Sequence, residues 1–588
     1  MGGTERRVSR RSLLKAGGAG AALGAFGGPL RPLVDDPSHD RRGERDRPGG
    51  EGGNEADTAD PEIDLAEIQG NVLAGFNKDH QRLLFFRLDD VDRARAWLAT
   101  IVDETATSEE VLAFNDVFRR ARARRRAELA TPQATWLNVA FTHPGLAALG
   151  VSENELSMFP EAFRQGMAAR APLLGDVDES APAHWVGPFA SADVHGLLLL
   201  AADASSALDR LAGAHTQRMA AHGVRVVFDD IGRVRADQPG HEHFGFKDGV
   251  SQPGIRGVTR RQNPDDDEQG LPGQDLLWPG EFVLGYPTQA AIPDPKSDDG
   301  ANGNPGPVSR SGPAWTTDGS YLVFRRLRQD VAGFRRFVAG AAAEQGVSTE
   351  RLGAKLVGRY PSGAPLERTE DAPHDFDPTK TDPSRKNPSI LDPTRINNFE
   401  FAKDDGDGRL VPRAAHIRKA YPRDEMTPTG GEADTQTHRL LRRGIPYGES
   451  FREGAPTGST AGADADRGLL FLGYQASLER QFEFVVSQWF NKPDHPERGD
   501  GHDPILSQST RTKQFTLPGG SPVHLTMQRF VFTTGGAYLF QPSISALRRL
   551  SRPSAVTNPA PPLPAPSPRS PRLPLPGPPR RPGSPGVV

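Results

Sequence analysis

Three short stretches of this chain carry side chains able to do chemistry. The first is His241-Glu242-His243-Phe244-Gly245-Phe246-Lys247-Asp248-Gly249-Val250-Ser251, imidazoles and carboxylates set among glycines. The second is Ala415-His416-Ile417-Arg418-Lys419-Ala420-Tyr421-Pro422-Arg423, one imidazole among cations. The third is His438-Arg439-Leu440-Leu441-Arg442-Arg443-Gly444-Ile445-Pro446-Tyr447-Gly448, rich in guanidinium groups. A placed carboxylate can shuttle a proton, a neutral imidazole can ligate a metal, and a fixed guanidinium can stabilise developing negative charge. Taken singly, none is diagnostic. Gly-x-x-Asp-Gly has the composition of an ordinary turn, and one His among 15 is usually a surface or satisfied core residue. Basic residues followed by Gly and Pro commonly end a helix or strand.

The 588 residues include no Cys, which excludes disulfides, thiolate nucleophiles and thiolate metal ligands. A haem here would need His, Tyr or Met as its axial ligand. Lys+Arg 71 against Asp+Glu 75 leaves a net charge of −4, without the basic excess of a nucleic-acid binder. The run Arg119 to Arg126 reads as a solvated helix face.

The elements that must position these residues fall into two similar series. In the first, Leu83–Leu88, Thr135–Phe141, Val194–Leu200 and Val224–Phe228 read as strands. Val91–Val102 and Ser205–Ala221 have helical spacing. The order β-α-β-β-α-β is that of a ferredoxin-like unit. The second series has strands at Tyr321–Phe324, Gly468–Tyr474 and Ala537–Phe540, with helices at Val331–Glu344 and Leu478–Phe490. Long Pro/Gly/Asp-rich insertions lie near residues 259–318 and 361–411; such loops are often functional. The expected fold is α+β: two ferredoxin-like halves with antiparallel sheets, leaving a cleft for a ligand.

The ends do not read as foldable. Ser9-Arg10-Arg11-Ser12-Leu13-Leu14-Lys15 precedes an Ala/Gly/Leu-rich run to Leu30, the pattern of a twin-arginine export signal. That run is too short and Gly-rich for a stable membrane span. Residues 35–62 read as a disordered linker and 551–588 as a Pro-rich tail. The expected plan is a twin-arginine signal peptide at 1–34, an N-terminal ferredoxin-like domain at 63–240 and a C-terminal one at 241–550. Twin-arginine export moves folded proteins, which suits a cofactor loaded beforehand. The expected location is therefore extracellular or in the cell envelope or periplasm.

In their order, the three stretches resemble the dye-decolorising peroxidases. The likeness extends to Ile68-Gln69-Gly70-Asn71-Val72-Leu73, to Gly473-Tyr474-Gln475-Ala476-Ser477 and to Gly535-Gly536-Ala537-Tyr538-Leu539-Phe540. It implies a haem b peroxidase of the dimeric α/β-barrel type, with one haem per chain in a cleft of the C-terminal half. Hydrogen peroxide and an organic donor, a dye or phenolic, would be its substrates. Carried over by motif, His416 would be the iron ligand, with Asp248 as acid–base and Arg442 stabilising O–O heterolysis. Gly249, Val250, Ser251, Tyr421, Pro422 and Arg423 would lie against the haem. Arg423 suits a propionate, although Tyr421 stands where the family often has Asn. Gly444 replaces an Asn of some smaller members, leaving Asp248 and Arg442 as the distal pair. Asp503, in Gly501-His502-Asp503-Pro504-Ile505, resembles the acidic partner of the ligand His. Glu449, His241 and His243 are candidates for tuning the distal pocket. Tyr447 and Trp489 resemble surface electron-relay positions, though either also reads as an ordinary core aromatic. Two other readings remain: an exported haem-handling protein that releases iron from haem, as a deferrochelatase does, and a secreted ferredoxin-like binding module without cofactor.

Overall fold

The computed structural model describes residues 60–123, 133–263, 266, 268–290, 305–368, 396–519 and 521–552. The export signal, almost all of the linker, nearly the whole Pro-rich tail and the side chains of the Arg119–Arg126 run lie outside the described residues. The chain up to Arg552 clusters as one compact unit.

The first half runs β1 (His80–Leu88), α1 (Val91–Ile101), α2 (Ser108–Ala123), β2 (Thr135–Phe141), β3 (Gly196–Ala202), α3 (Ser205–Ala221) and β4 (Val224–Arg233). Asp90 caps α1 by accepting from Arg93 N at 2.9 Å, and Ala94, Trp97, Leu98 and Ile101 form its buried stripe. All seven residues of β3 are buried, because one face of the sheet lines the barrel interior and the other is covered by helices.

The second half runs β5 (Ser320–Gln329), α4 (Val331–Gln345), α5 (Thr349–Val357), α6 (His416–Ala420), β6 (Leu441–Arg442), β7 (Ile445–Tyr447), β8 (Gly468–Gln475), two π-helical turns (Leu478–Glu483 and Val485–Phe490), a hairpin of β9 (Thr512–Leu517) and β10 (Val523–Gln528), β11 (Val531–Gln541) and α7 (Ile544–Leu550). Asp330 caps α4 at Gly333 N, and Gly346, at φ 64°, ends it.

The sheet order is β6-β8-β7-β4-β1-β3-β2-β11-β5, and β5 returns to β8, so the nine strands close on themselves. Within each half the order is that of a ferredoxin-like sheet: β4-β1-β3-β2, then β7-β8-β5-β11. The two sheets meet at two seams, each a single registered pair: Tyr447 with Gly232, and Phe540 with Phe141. Within the second half the pairing is far denser, Gly468–Gln475 of β8 lying against Tyr321–Arg328 of β5. Gly468 is required there: a Cβ would stand 1.8 Å from the Leu327 carbonyl oxygen.

Several boundaries move from the sequence expectation. β3 begins at Gly196, β4 continues to Arg233, and β11 begins at Val531. The stretch Leu441–Tyr447, read as an ordinary terminus, supplies the fourth strand of the second half, broken at Arg443-Gly444 into β6 and β7. The β9–β10 hairpin was not anticipated. The helix at Leu478–Phe490 is wound with π geometry.

Candidate active site

The larger cavity, about 1970 Å³ including the space opening to solvent, is lined entirely by residues between Glu242 and Val531. Asp248, Gly249, Val250, Ser251, His416, Tyr421, Arg423 and Arg442 all border it.

His416 is the first residue of α6, which starts where Ala415 N bonds back to Pro412 O. Its Nδ1–H donates to Asp503 Oδ2 at 2.8 Å. That bond leaves Nε2 as the lone pair available to a ligand. Asp503 is completely buried. Its other oxygen accepts from Ile505 N at 2.9 Å and Leu506 N at 2.5 Å. Burial favours its neutral acid, but His416 and the Leu506 N–H outweigh this and hold the carboxyl below the usual range.

Asp248 sits on a tight loop. Its N–H donates to Gly240 O at 3.0 Å, and its Oδ1 accepts from Gly249 N at 2.6 Å, with Gly249 at φ 69°. Arg442 reaches the same place from β6, where it pairs with Gly473 of β8. Its Nη1 lies 3.7 Å from Asp248 Oδ1, and its Nη2 donates to Ser251 O at 2.5 Å. Gln252 grips the Arg442 backbone on both sides, donating to its carbonyl at 3.0 Å and accepting from its N–H at 3.2 Å. Gln252 thus fixes the base of the Arg442 side chain, a role that arises only because β6 packs against this loop. Asp248 and Arg442 also border a second, smaller cavity across the seam, lined by Lys78, Gln81, His241 and Arg443 among others.

The remaining rim is cationic. Arg423, at φ 58°, is buried; it donates to the Asn397 and Phe399 carbonyls at 3.0 and 2.8 Å and stacks 4.0 Å from the Phe399 ring. Arg359 donates to Gly363 O, Ile396 O and Asn397 Oδ1. Burial pulls its pKa down to about 9, and the nearby Arg423 and Arg442 add to the shift. Arg439 pairs with Asp275 at 2.9 Å and lies 3.6 Å over the Tyr421 ring. Tyr421 donates its hydroxyl to Asp275 at 2.5 Å. Neither Arg359 nor Arg439 stood out in the sequence.

Phe471, Phe482, Val485 and Phe490 supply apolar wall. An available imidazole nitrogen, an apolar slot and an excess of guanidinium fit a flat apolar group with an axial nitrogen ligand and anionic edges.

The other candidates lie elsewhere. His243 is buried, donates from Nε2 to Tyr447 O at 2.8 Å and is pushed by burial to a pKa of about 4. Glu449 pairs with Arg233 on the surface. Neither lines the larger cavity, so neither tunes it by contact. Tyr447 is buried with its hydroxyl on Asp466 at 3.0 Å; Trp489 is 1% exposed, packed among His438, Phe484 and His495. Both are core aromatics, and neither offers its ring to a bulky donor at the surface.

Two family models match the chain: a DyP dimeric alpha+beta barrel domain over residues 67–236, and a Dyp-type peroxidase C-terminal domain over 294–500. The chain is similar to Peroxidase 2 of Mycetinis scorodonius, 32% identical over 83% of this chain and 87% of that one. The structure resembles a fungal DyP-type peroxidase from Auricularia auricula-judae, with a TM-score of 0.65 and 28% identity over 84% of this chain and 100% of the other. A deferrochelatase of Yersinia pestis is 28% identical over 35% of this chain and 34% of its own length.

Proposed function

This chain belongs to the dye-decolorising peroxidase family, and from that premise we propose that it binds one haem b on His416 and, after twin-arginine export, uses hydrogen peroxide to oxidise organic donors such as dyes and phenolics. Peroxidase activity comes with the family; the haem type, the residue roles and the export are this proposal. The observation that carries it is that one cavity gathers the His416–Asp503 couple, the Asp248–Arg442 pair and the surplus of arginine.

His416 Nε2 would hold the iron, and Arg359 and Arg423 would face the propionates, whose negative charge relieves the crowding at the rim. When bound, haem supplies the redox chemistry that divides O–O cleavage from donor oxidation. The chain's own work is to move a proton and to stabilise charge. Asp248 takes the proton from one peroxide oxygen and returns it to the other, which leaves as water. Arg442 stabilises the negative charge on the departing oxygen. Two electrons and two further protons from the donor complete a second water. Asp503, accepting from Nδ1–H, keeps the imidazole oriented and electron-rich.

Expected outcomes follow residue by residue. His416→Ala loses or weakens the Soret band. Asp248→Asn and Arg442→Leu keep haem but lose turnover by about 10²–10³-fold, read with an anthraquinone dye. Full turnover in both variants would remove the roles assigned to them. Export is supported by Arg10-Arg11 ahead of an apolar run; replacing both by Lys should retain the protein inside the cell. The deferrochelatase match covers about a third of the chain and does not carry iron release. Absence of free protoporphyrin during turnover checks that.

A further inference from the structure

Two lysines near His416 and Asp503 are placed unlike ordinary lysines. Lys419 and Lys513 are both fully buried, a rare state for an ammonium group. Neither has a carboxylate within salt-bridge distance among the described residues. Lys419 Nζ donates to Trp489 O at 2.9 Å and Lys492 O at 2.6 Å; Lys513 Nζ donates to Pro504 O at 3.0 Å and Ile505 O at 3.3 Å. Lys419 shares α6 with His416, while Lys513 grips the turn that begins at Asp503. One cation is thus tied to the ligand's helix and the other to the acid's turn.

Their placement needs a cause, because burying an ammonium without an ion-pair partner costs several kcal/mol. Asp503 is the charge both feel first: for each lysine it is the leading influence opposing burial. His502, beside Asp503, does not share the task; burial and both lysines drive its pKa to about 4, so it stays neutral. His495, stacked on Trp489, is likewise neutral, at about 3. Asp500, Asp494 and Arg529 are the other charges that reach this pair.

We propose that Lys419 and Lys513 are positioning residues for the His416–Asp503 couple, their ammonium groups offsetting the carboxylate's field at the imidazole and so limiting the imidazolate character felt by the haem iron. This rests on the haem reading above. Without the offset, the fully buried carboxylate would draw the Nδ1 proton further, make the ligand a stronger donor and favour ferric over ferrous iron. The lysines set a ceiling on that push.

The test is an anaerobic redox titration of the full-length, haem-loaded protein, at low salt and at a pH well below 7, where both lysines are charged. Lys513→Met and Lys419→Met should each shift the Fe(III)/Fe(II) equilibrium toward ferric by about tenfold, or about 59 mV for one electron. The double variant should shift further, and Lys513→Arg, which keeps the charge, should stay near the parent. The ferrous iron–histidine stretch should rise in the Met variants. A purely structural lysine predicts folded, haem-loaded Met variants with unmoved potentials, and that result overturns the proposal. A shift toward ferrous does the same, since it means Asp503 had become protonated. If neither Met variant nor Lys513→Gln loads haem, the lysines are scaffold and the proposal fails. Failure of the haem reading looks different: the parent protein itself would show no Soret band.

Discussion

Asp503 carries a charge in complete burial because three donors converge on it: His416 Nδ1, Ile505 N and Leu506 N. A carboxylate so held contributes stability above its ordinary pKa and loses it as pH falls through the depressed one. Asp503→Asn keeps the shape and removes the anion. It should cost about 10–100-fold in haem affinity or turnover, measured by haem titration of the apo-protein and by dye oxidation. Asp248, His416, Arg442 and Asp503 could be singled out in the sequence because their local motifs resemble a family pattern. Gln252, Arg359, Arg439, Lys419 and Lys513 could not. A buried Arg or Lys looks like a surface one until tertiary structure removes its water, and Gln252 matters only because β6 passes alongside it.

Strands with continuous apolar runs, such as β1, β3 and β5, announce themselves through composition, and so do α1 and α4 through their period and caps and α3 through its period. The element that presents Arg442 does not. Arg442-Arg443-Gly444-Ile445-Pro446 has weak strand propensity, and its extended shape is imposed by pairing with β8. The π winding of Leu478–Phe490 is equally silent, because an apolar stripe at helical spacing does not distinguish the two windings. β8 depends on a glycine for its approach to β5. Gly468→Ala forces a methyl into the Leu327 carbonyl. The variant should lose roughly 1–3 kcal/mol of stability in denaturant unfolding, with haem content following.

At the scale of the whole molecule, buried acids shape the pH response. Burial pushes Glu281, Glu367, Glu400 and Glu432 up to about 7 from an ordinary 4.5. A raised folded-state pKa gives stability that is complete below the unfolded value and lost as pH rises through the folded one. Lys513, lowered by burial to about 7 from 10.5, acts the other way, returning stability as pH climbs between those values. Three histidines oppose the acids: His243, His495 and His502, lowered to about 4, about 3 and about 4 from an ordinary 6.5, return stability as pH rises to that value. The melting temperature of the haem-loaded protein should therefore change little between pH 4.5 and 6.5 and rise above 7, at fixed ionic strength. A curve that keeps falling above pH 7 would show that other groups dominate. The expectation of two ferredoxin-like halves matches the folded chain, whereas their closure into one cylinder follows from strand edges that no single segment reveals.

That closure has a consequence for how the molecule comes apart. Each half is contiguous in sequence, no strand crosses from one sheet into the other, and a single covalent link between Arg233 and Ser320 joins them. Cutting that link would free two fragments, each with two bare strand edges: β4 and β2 on one, β7 and β11 on the other. Unpaired edges seek any extended partner, and the best match for each is the opposite fragment. The nicked protein should behave as a self-assembling heterodimer, its pieces interchangeable between molecules and prone to aggregate only when kept apart.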